Sequence, residues 1–263
     1  MKTTLIITTY NWPQALELVL LSVKKQILMP DEVVIADDGS TSETEELIKK
    51  ISKDFPVEIK HVWQNDKGFR AAMIRNKAIA KSEGDYIIGI DGDMILHPLF
   101  IKDHIKNAKK NRYIQGSRVL LSEDKTKTVL KNKQIIFHFF ERGLLNRKNA
   151  IHSDFLSKLF SKNKKTLKGS KTCNFSMFKE DILKINGFDN EFVGWGREDS
   201  EFLARFLNSG GIRYDLKFNA IAYHIFHEEN ERRYLKKNED RLKKTVIKKI
   251  KVCENGINKF LGE

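Results

Sequence analysis

The sequence is short of the residues that staple a fold covalently. Its two cysteines, Cys173 and Cys253, form no CxxC pair, which excludes a disulfide framework. No zinc-ligand spacing occurs. The expected setting is the reducing cytoplasm. There are only four prolines, and no Pro-, Gly- or Ser-rich stretch marks a linker. No apolar run approaches the ~18–20 residues of a membrane-spanning helix. The opening MKTTLIITTYNWP is cut short by Asn11, Trp12 and Pro13, so it reads as a first strand rather than a signal peptide. Dinucleotide, P-loop and nucleophile-elbow motifs (GxGxxG, GxxxxGK[ST], GxSxG) are missing, as is any internal repeat.

What is present is a chain of 263 residues with 40% hydrophobic and 10% aromatic content, enough for a buried core. Lys and Arg number 48 against 35 Asp and Glu, a formal net charge of +13. That excess suits nucleotide phosphates, nucleic acid or an anionic membrane surface and does not choose among them. The basic segments lack the aromatic interleaving of a single-strand binder.

The first half alternates between two periodicities. Strands are expected at Thr3–Thr9, Glu32–Ala36, Val57–Trp63, Asp85–Ile90 and Tyr113–Leu121. Helices are expected at Ala15–Gln26, Ser42–Ser52, Phe69–Lys81 and Pro98–Lys109. Pro13 suits a first helical turn, and Ser42 with Glu45 has the spacing of a capping box. This βαβα order predicts an α/β fold, a mostly parallel sheet with helices on both faces. Residues 121–168 are basic and less regular, with apolar Ile135–Phe140 and amphipathic Asp154–Phe160. Beyond them come a strand at Cys173–Phe178, a helix at Glu180–Ile185, a turn at Asn186–Asp189, a helix ending near Leu207, and strands at Ile212–Leu216 and Ala220–Phe226. From Glu228 a charged helical tail follows, with Val246, Ile247, Ile250 and Val252 as an apolar strip.

In such sheets ligands sit beyond the carboxyl ends of the strands, and the polar motifs fall there. Asp91-Gly92-Asp93 sets two carboxylates at a strand tip, able to aim at one hard cation such as magnesium or manganese; an ordinary Asp-Gly turn has the same sequence. Asp37-Asp38-Gly39-Ser40 offers acceptors to a uracil N–H or to ribose hydroxyls, or simply caps a helix. Arg70 and Arg75 carry forked donors for phosphate or line a solvated face. Gly194-Trp195-Gly196-Arg197-Glu198-Asp199 is the most specific element. Its indole can stack on a sugar, its acids can bind hydroxyls, and one acid can accept a proton. His224 and His227 lie at a strand end, where one could complete a metal site.

Together TTYNWP, VVIADDGS, GFRAAMIRN, GDYIIGIDGD, CNFSMF, NGFDNEFVGWGRED and YHIFH, in this order, resemble the family-two glycosyltransferases of the GT-A fold. The second half is similar to the galactosyltransferase-type C-terminal region of β-1,4-galactosyltransferases and chondroitin polymerase modules. The resemblance covers roughly residues 3–120 and 170–227. It implies a metal-dependent inverting transfer of a galactose-, GalNAc- or glucose-type sugar from a UDP-sugar to a glycan hydroxyl, as in lipopolysaccharide or capsule synthesis. Thr8, Tyr10, Asp38, Arg70, Arg75, Asp91 and Gly92 would bind the donor. Asp93 and His224 would hold Mn2+ or Mg2+, with His224 matching better than His227. Gly194, Trp195 and Glu198 would meet the acceptor, and Asp199 would be the base. The implied organisation is one domain over 1–227, with a nucleotide-sugar half (1–120), a basic insert (121–168) and an acceptor half (169–227), then a basic tail (228–263). A retaining transferase, a sugar-phosphate nucleotidyltransferase and a nucleic-acid binder are the alternatives, and no nucleic-acid partner is expected. The basic insert and tail suit either peripheral contact with an anionic membrane or plain solvation.

Overall fold

A computed structural model describes residues 1–228 and 233–262. Four strands, β1 (Thr3–Thr9), β2 (Glu32–Asp37), β3 (Glu58–Trp63) and β4 (Tyr86–Asp91), alternate with α1 (Pro13–Val23), α2 (Ser42–Ser52) and α3 (Ala71–Lys81). They pair in parallel in the order β3-β2-β1-β4. The period of two explains why both faces are covered. Leu5 and Ile7 of β1 point to Leu16, Val19, Leu20 and Val23 of α1. Ile6, one residue out of phase, packs with Ala72, Ile74 and Ala78 of α3. Strands buried on both faces read as apolar runs, as the middles of β1, β2 and β4 do, whereas the edge strand β3 is only partly buried. Helix α2 starts one residue earlier than its capping-box pattern suggests: the N-cap is Thr41, and no side chain caps the turn.

Beyond β4 come β5 (Met94–Leu96), α4 (Phe100–Lys106), β6 (Arg112–Gln115) and β7 (Ser117–Leu120). The single strand expected at Tyr113–Leu121 is therefore two, divided at Gly116. A Cβ there would stand 2.5 Å from the side-chain amide of Asn174 and 2.7 Å from the Ala220 carbonyl. The Asn174 amide donates to Ser117 O and Ala220 O, both at 2.9 Å. This bare backbone lets the chain cross from the large sheet into a smaller one.

The remaining elements are α5 (Glu123–Asn132), α6 (Asp154–Phe160), β8 (Lys162–Lys164), β9 (Asn174–Phe178), α7 (Lys179–Lys184), α8 (Glu198–Asn208), β10 (Ile212–Asp215), β11 (Ile221–His224) and α9 (Leu235–Ile247). The large sheet has eight strands in the order β3-β2-β1-β4-β9-β6-β10-β8, and the small one has three, β5-β11-β7. Among the expected apolar residues Ile135–Phe140, Phe137 is buried and stacks on Tyr223 of β11 at 4.3 Å, while Phe140 is 84% exposed. The insert thus roofs the small sheet.

The C-terminal segment docks on the same body, but not by the apolar strip expected of it. Val246 and Ile247 are exposed. The inward residues of α9 are Asn238 and Thr245. Thr245 Oγ1 donates to Glu201 Oε1 at 3.0 Å, completing a buried Glu201–Arg205 pair on α8. Buried charges need such partners, so polar contacts dock α9, while the apolar anchor lies farther along, at Ile257, buried among the core residues. Part of the 228–263 tail, residues 229–232 and 263, lies outside the described residues.

Candidate active site

The strand tips open on one cleft of about 900 Å³. Thr8, Tyr10, Asp38, Asp91, Gly92 and Asp93 line it from the first half. Trp195, Glu198, Asp199, His224 and His227 line it from the second. Both acidic clusters expected to act together therefore share a cavity.

The Asp91–Asp93 turn is held tightly under β1. Gly92 N donates to Thr8 O at 2.7 Å, and a Cβ on Gly92 would lie 3.0 Å from that same oxygen. Asp93 Oδ2 lies 3.3 Å from His224 Nε2 and 3.2 Å from His227 Nε2. Both histidines thus face it, where the sequence favoured His224 alone. The residue after β11, Ile225, donates its N–H to Asp93 O at 3.0 Å and holds this bend in place. Burial alone would raise the Asp93 carboxyl, but hydrogen bonds from the two imidazoles hold it well below its usual value. The hydrogen bond to Asp93 lifts His227 to about 9. Asp93 Oδ1 is buried with no hydrogen-bond partner. One carboxylate, two imidazole nitrogens within 4.8 Å of one another and an orphaned oxygen fit a divalent cation such as Mn2+.

Arg75 joins this corner to the other acids. It is buried, and its Nη2 donates to Asp91 Oδ1 at 3.0 Å. Nη1 lies 3.4 Å from Asp199 Oδ1 and 3.9 Å from Glu198 Oε1, and Nε donates to Thr8 Oγ1 at 3.3 Å. Burial and the neighbouring Asp93 raise the Asp91 carboxyl despite Arg75.

At the β2 end, Asp38 accepts from Gln64 Nε2 and from Arg70 N, both at 2.6 Å. Burial raises its carboxyl. The Arg70 guanidinium turns away from the cleft to the Asn65 carbonyl, so Arg70 enters the site through its backbone. Tyr10 is half exposed, and its hydroxyl donates to Asp66 Oδ2 at 2.9 Å. Asp66 was not among the expected residues; it sits in a loop with no periodic signal.

Gly194 and Gly196 have φ of +75° and +105°, a region that glycine alone enters freely. A Cβ on Gly194 would meet the Tyr234 ring at 2.3 Å. Gly194 thus lies behind the cleft wall, and its neighbours Trp195 and Gly196 form the lining. Asn238 Nδ2 braces the loop from α9 by donating to Gly196 O at 2.9 Å and Val193 O at 3.3 Å. Glu198 and Asp199 then open α8, where a helix N-terminus favours acids. Burial, with repulsion from Asp199, pushes Glu198 up to about 8, and its Oε2 has no hydrogen-bond partner. Asp199 accepts from Thr172 twice, from the amide at 3.0 Å to Oδ2 and from the hydroxyl to Oδ1. Thr172 and the cleft residues Arg118 and Lys171 escaped sequence reasoning, while the cleft residues Trp12 and Cys173 lie in the TTYNWP and CNFSMF runs but were given no role. Only the position of Thr172 just before an expected strand hinted at it.

The pattern of glycosyl transferase family 2 matches residues 4–183, and that of the N-terminal domain of galactosyltransferase matches residues 156–228. The chain is 27% identical over 239 residues to chondroitin synthase of Escherichia coli, covering 84% of this chain and 34% of that protein, so it spans about a third of the relative's length. Among solved structures, TarS 1–349 of S. aureus superposes with a TM-score of 0.61 at 19% identity, covering 99% of this chain and 69% of the other. The mannosyltransferase PcManGT of Pyrobaculum calidifontis, solved with GDP-Man and Mn2+, gives 0.56 at 17%, covering 87% and 58%. With more than half its length matched and its acids gathered at the tips of a largely parallel sheet, the chain belongs to glycosyl transferase family 2 and is a glycosyltransferase of the GT-A fold.

Proposed function

We propose that this glycosyltransferase moves a galactose-, N-acetylgalactosamine- or glucose-type sugar from a UDP-sugar to a hydroxyl of a glycan acceptor, with inversion at the anomeric carbon and with Mn2+ or Mg2+ as cofactor. The product belongs to a surface polysaccharide, lipopolysaccharide or capsule, assembled at the cytoplasmic face of a membrane. One observation carries the reading: the Asp93–His224–His227 cluster and the Glu198–Asp199 pair face the same cleft, with Arg75 between them.

Asp93, His224 and His227 would hold the ion. When bound, a divalent cation neutralises the negative charge that gathers on the departing diphosphate. Asp38 accepts hydrogen bonds from the nucleoside, and the exposed Tyr10 ring gives its base a stacking surface. Asp199, oriented by Thr172, takes the proton of the acceptor hydroxyl as that oxygen attacks the anomeric carbon. The pair of electrons in the glycosidic bond leaves with UDP, so a UDP-α-sugar yields a β-linked product. Trp195 offers its face to the acceptor ring. Glu198, raised to about 8, donates a hydrogen bond at neutral pH rather than competing with Asp199 for a proton.

The chain's match to a part of chondroitin synthase supports a polysaccharide product, and the Mn2+ held by PcManGT supports the ion. The test needs no acceptor. UDP-galactose, UDP-N-acetylgalactosamine, UDP-glucose and UDP-glucuronate are screened for slow hydrolysis with Mn2+ and with EDTA. Metal-dependent release of UDP from one donor is expected; release of pyrophosphate from UTP and a sugar 1-phosphate, with no UDP released from any UDP-sugar, would point to a nucleotidyltransferase. NMR of a glycoside product then reads the anomeric configuration; an α-linked product from a UDP-α-sugar would overturn inversion.

The same reading includes peripheral contact with an anionic leaflet. Helix α6 leaves Phe155, Leu159 and Phe160 75%, 62% and 49% exposed beside Lys158 and Lys162. Apolar tips set among lysines suit a bilayer surface. No helix among the described residues is long and apolar enough to cross a membrane.

A further inference from the structure

Arg75, Arg197, Arg205 and Arg213 each face a carboxylate, at 3.0, 2.6, 2.8 and 2.6 Å. Among the described residues Arg118, on the cleft wall, faces none. Its Nη1 lies 3.8 Å from Cys173 Sγ. Burial pushes that thiol up to about 12, so it supplies no counter-charge. Lys171, also on the wall, is half-buried, and its ammonium makes no hydrogen bond or ion pair among the described residues. Burial and the nearby Arg118 lower its pKa.

Both cations are fixed in place by backbone contacts. Lys171 N donates to Gln115 Oε1 at 3.0 Å, and its carbonyl accepts from the Tyr113 hydroxyl. The next residue is Thr172, which orients Asp199. Arg118 O accepts the amides of Asn146 and Asn149 at 2.7 and 2.8 Å. In the small sheet Arg118 pairs with Ala222 and Leu120 pairs with His224. Arg118 therefore projects from the same face as His224, because side chains two residues apart share a face. Lys171 immediately precedes Thr172, which binds Asp199, and Arg118 reaches Cys173, which immediately follows Thr172. The negative charge of the donor would be met by the cation that Asp93, His224 and His227 would hold. Half-desolvated cations with no anionic partner among the described residues cost free energy until an anion reaches them.

We propose that Arg118 and Lys171 form an anion subsite beside Asp199 that binds a carboxylate or phosphate carried by the acceptor glycan. The assignment rests on the reading above in placing the acceptor hydroxyl at Asp199. The guanidinium fork matches an oxyanion with paired hydrogen bonds, and the ammonium adds a point charge. The subsite selects an acidic glycan, so the reaction that precedes this one must leave a uronate or phosphate-bearing sugar at the growing end.

The test uses the full chain with UDP and Mn2+ present. Methyl β-glucuronide, glucose 6-phosphate and methyl β-glucoside are titrated by ligand-observed NMR against the wild type, Arg118→Gln, Lys171→Gln and Arg118→Lys. UDP affinity is measured on each protein by calorimetry, and UDP-glucuronate is compared with UDP-glucose. The wild type is expected to prefer one charged sugar to the neutral one by about tenfold, as a charge-assisted contact gives. The glucuronide and phosphate arms show which anion it is. Each Gln variant should lose the preference while UDP affinity stays constant, and Arg118→Lys should keep part of it. Equal binding of charged and neutral sugars by the wild type would overturn the subsite. So would a parallel loss of UDP affinity in the Gln variants, which would assign both cations to the diphosphate. A preference for UDP-glucuronate that the variants abolish would move the anion to the donor and overturn the acceptor assignment. Failure of the wild type to bind UDP would sink the donor reading instead, and the charged-sugar comparison would still decide the subsite.

Discussion

Thr172 donates to both carboxylate oxygens of Asp199, through its amide to Oδ2 at 3.0 Å and through its hydroxyl to Oδ1. The contact ties the residue before β9 to the first turn of α8, two segments 27 positions apart. It orients the carboxylate and leaves further lone pairs of both oxygens for an incoming hydroxyl.

Asp199→Asn should therefore cut turnover on the order of 10²-fold or more, the usual loss for a general base. UDP affinity should barely change, because the amide keeps the shape of the site. Thr172→Val removes only the hydroxyl, so a smaller drop, about tenfold, is expected from one lost hydrogen bond to a charged group. Steady-state UDP release and calorimetry with UDP read both. Near-normal turnover of Asp199→Asn would remove it as the base.

Asp93→Ala should abolish Mn2+-dependent UDP binding. His224→Ala and His227→Ala should each weaken it by about 10-fold or more, since both imidazoles face Asp93 Oδ2. EDTA should produce the same loss in the wild type. Calorimetric titration of Mn2+ in the presence of UDP separates the three. Undiminished metal affinity in His227→Ala would return the role to His224 alone.

Glu198 gives a pH dependence of known sign. Its folded value, about 8, stands above its ordinary 4.5 because of burial and Asp199. The folded state thus keeps a proton that the unfolded chain releases, and stability falls as pH rises from about 4.5 through about 8. Glu198→Gln mimics the protonated acid and should flatten this slope. Urea unfolding of metal-free protein at pH 5, 7 and 9 checks it; a slope unchanged by the substitution would refute the assignment.

Gly194→Ala should destabilise the protein by about 1–3 kcal/mol, from a non-glycine residue at positive φ and a methyl driven against Tyr234. Asn238→Ala removes the brace on Val193 and Gly196 from the far side. It should raise the acceptor KM more than it lowers kcat, since Trp195 loses its support. Chemical denaturation and acceptor kinetics measure the two effects. A Gly194→Ala protein as stable as the wild type would show that the ring moves aside freely.

Replacing Phe155 and Leu159 by Ser should reduce flotation with phosphatidylglycerol liposomes and leave the fold intact, because both side chains are already exposed. Equal flotation of variant and wild type would discard α6 as the contact.

Much of the fold was legible because its signals are local. The apolar runs of β1, β2 and β4 sit beside helices with clear periodicity, and Gly92 and Gly194 mark places where backbone or a ring comes close. The split at Gly116 was not legible, since its cause is the amide of Asn174, far along the chain. The apolar strip of the tail misled for the opposite reason. Helix α9 packs through Asn238 and Thr245, whose partners are backbone carbonyls and a buried acid on other elements, and the apolar anchor is Ile257, outside the strip. A periodicity argument counts apolar residues and cannot see a buried polar group that needs satisfying.

The candidate site divides the same way. Sequence alone determined that acids stand at strand tips and at the start of a helix, because strand alternation and turn chemistry depend on neighbours within a few residues. Only the tertiary structure decided that His227 joins His224 at Asp93, that Arg70 turns outward while Arg75 bridges Asp91 and Asp199, that Thr172 binds Asp199, and that Arg118 and Lys171 line the cleft. Coordination, ion pairing and desolvation act through space over a few ångströms. They join residues that the chain holds up to 134 positions apart, as between Asp93 and His227.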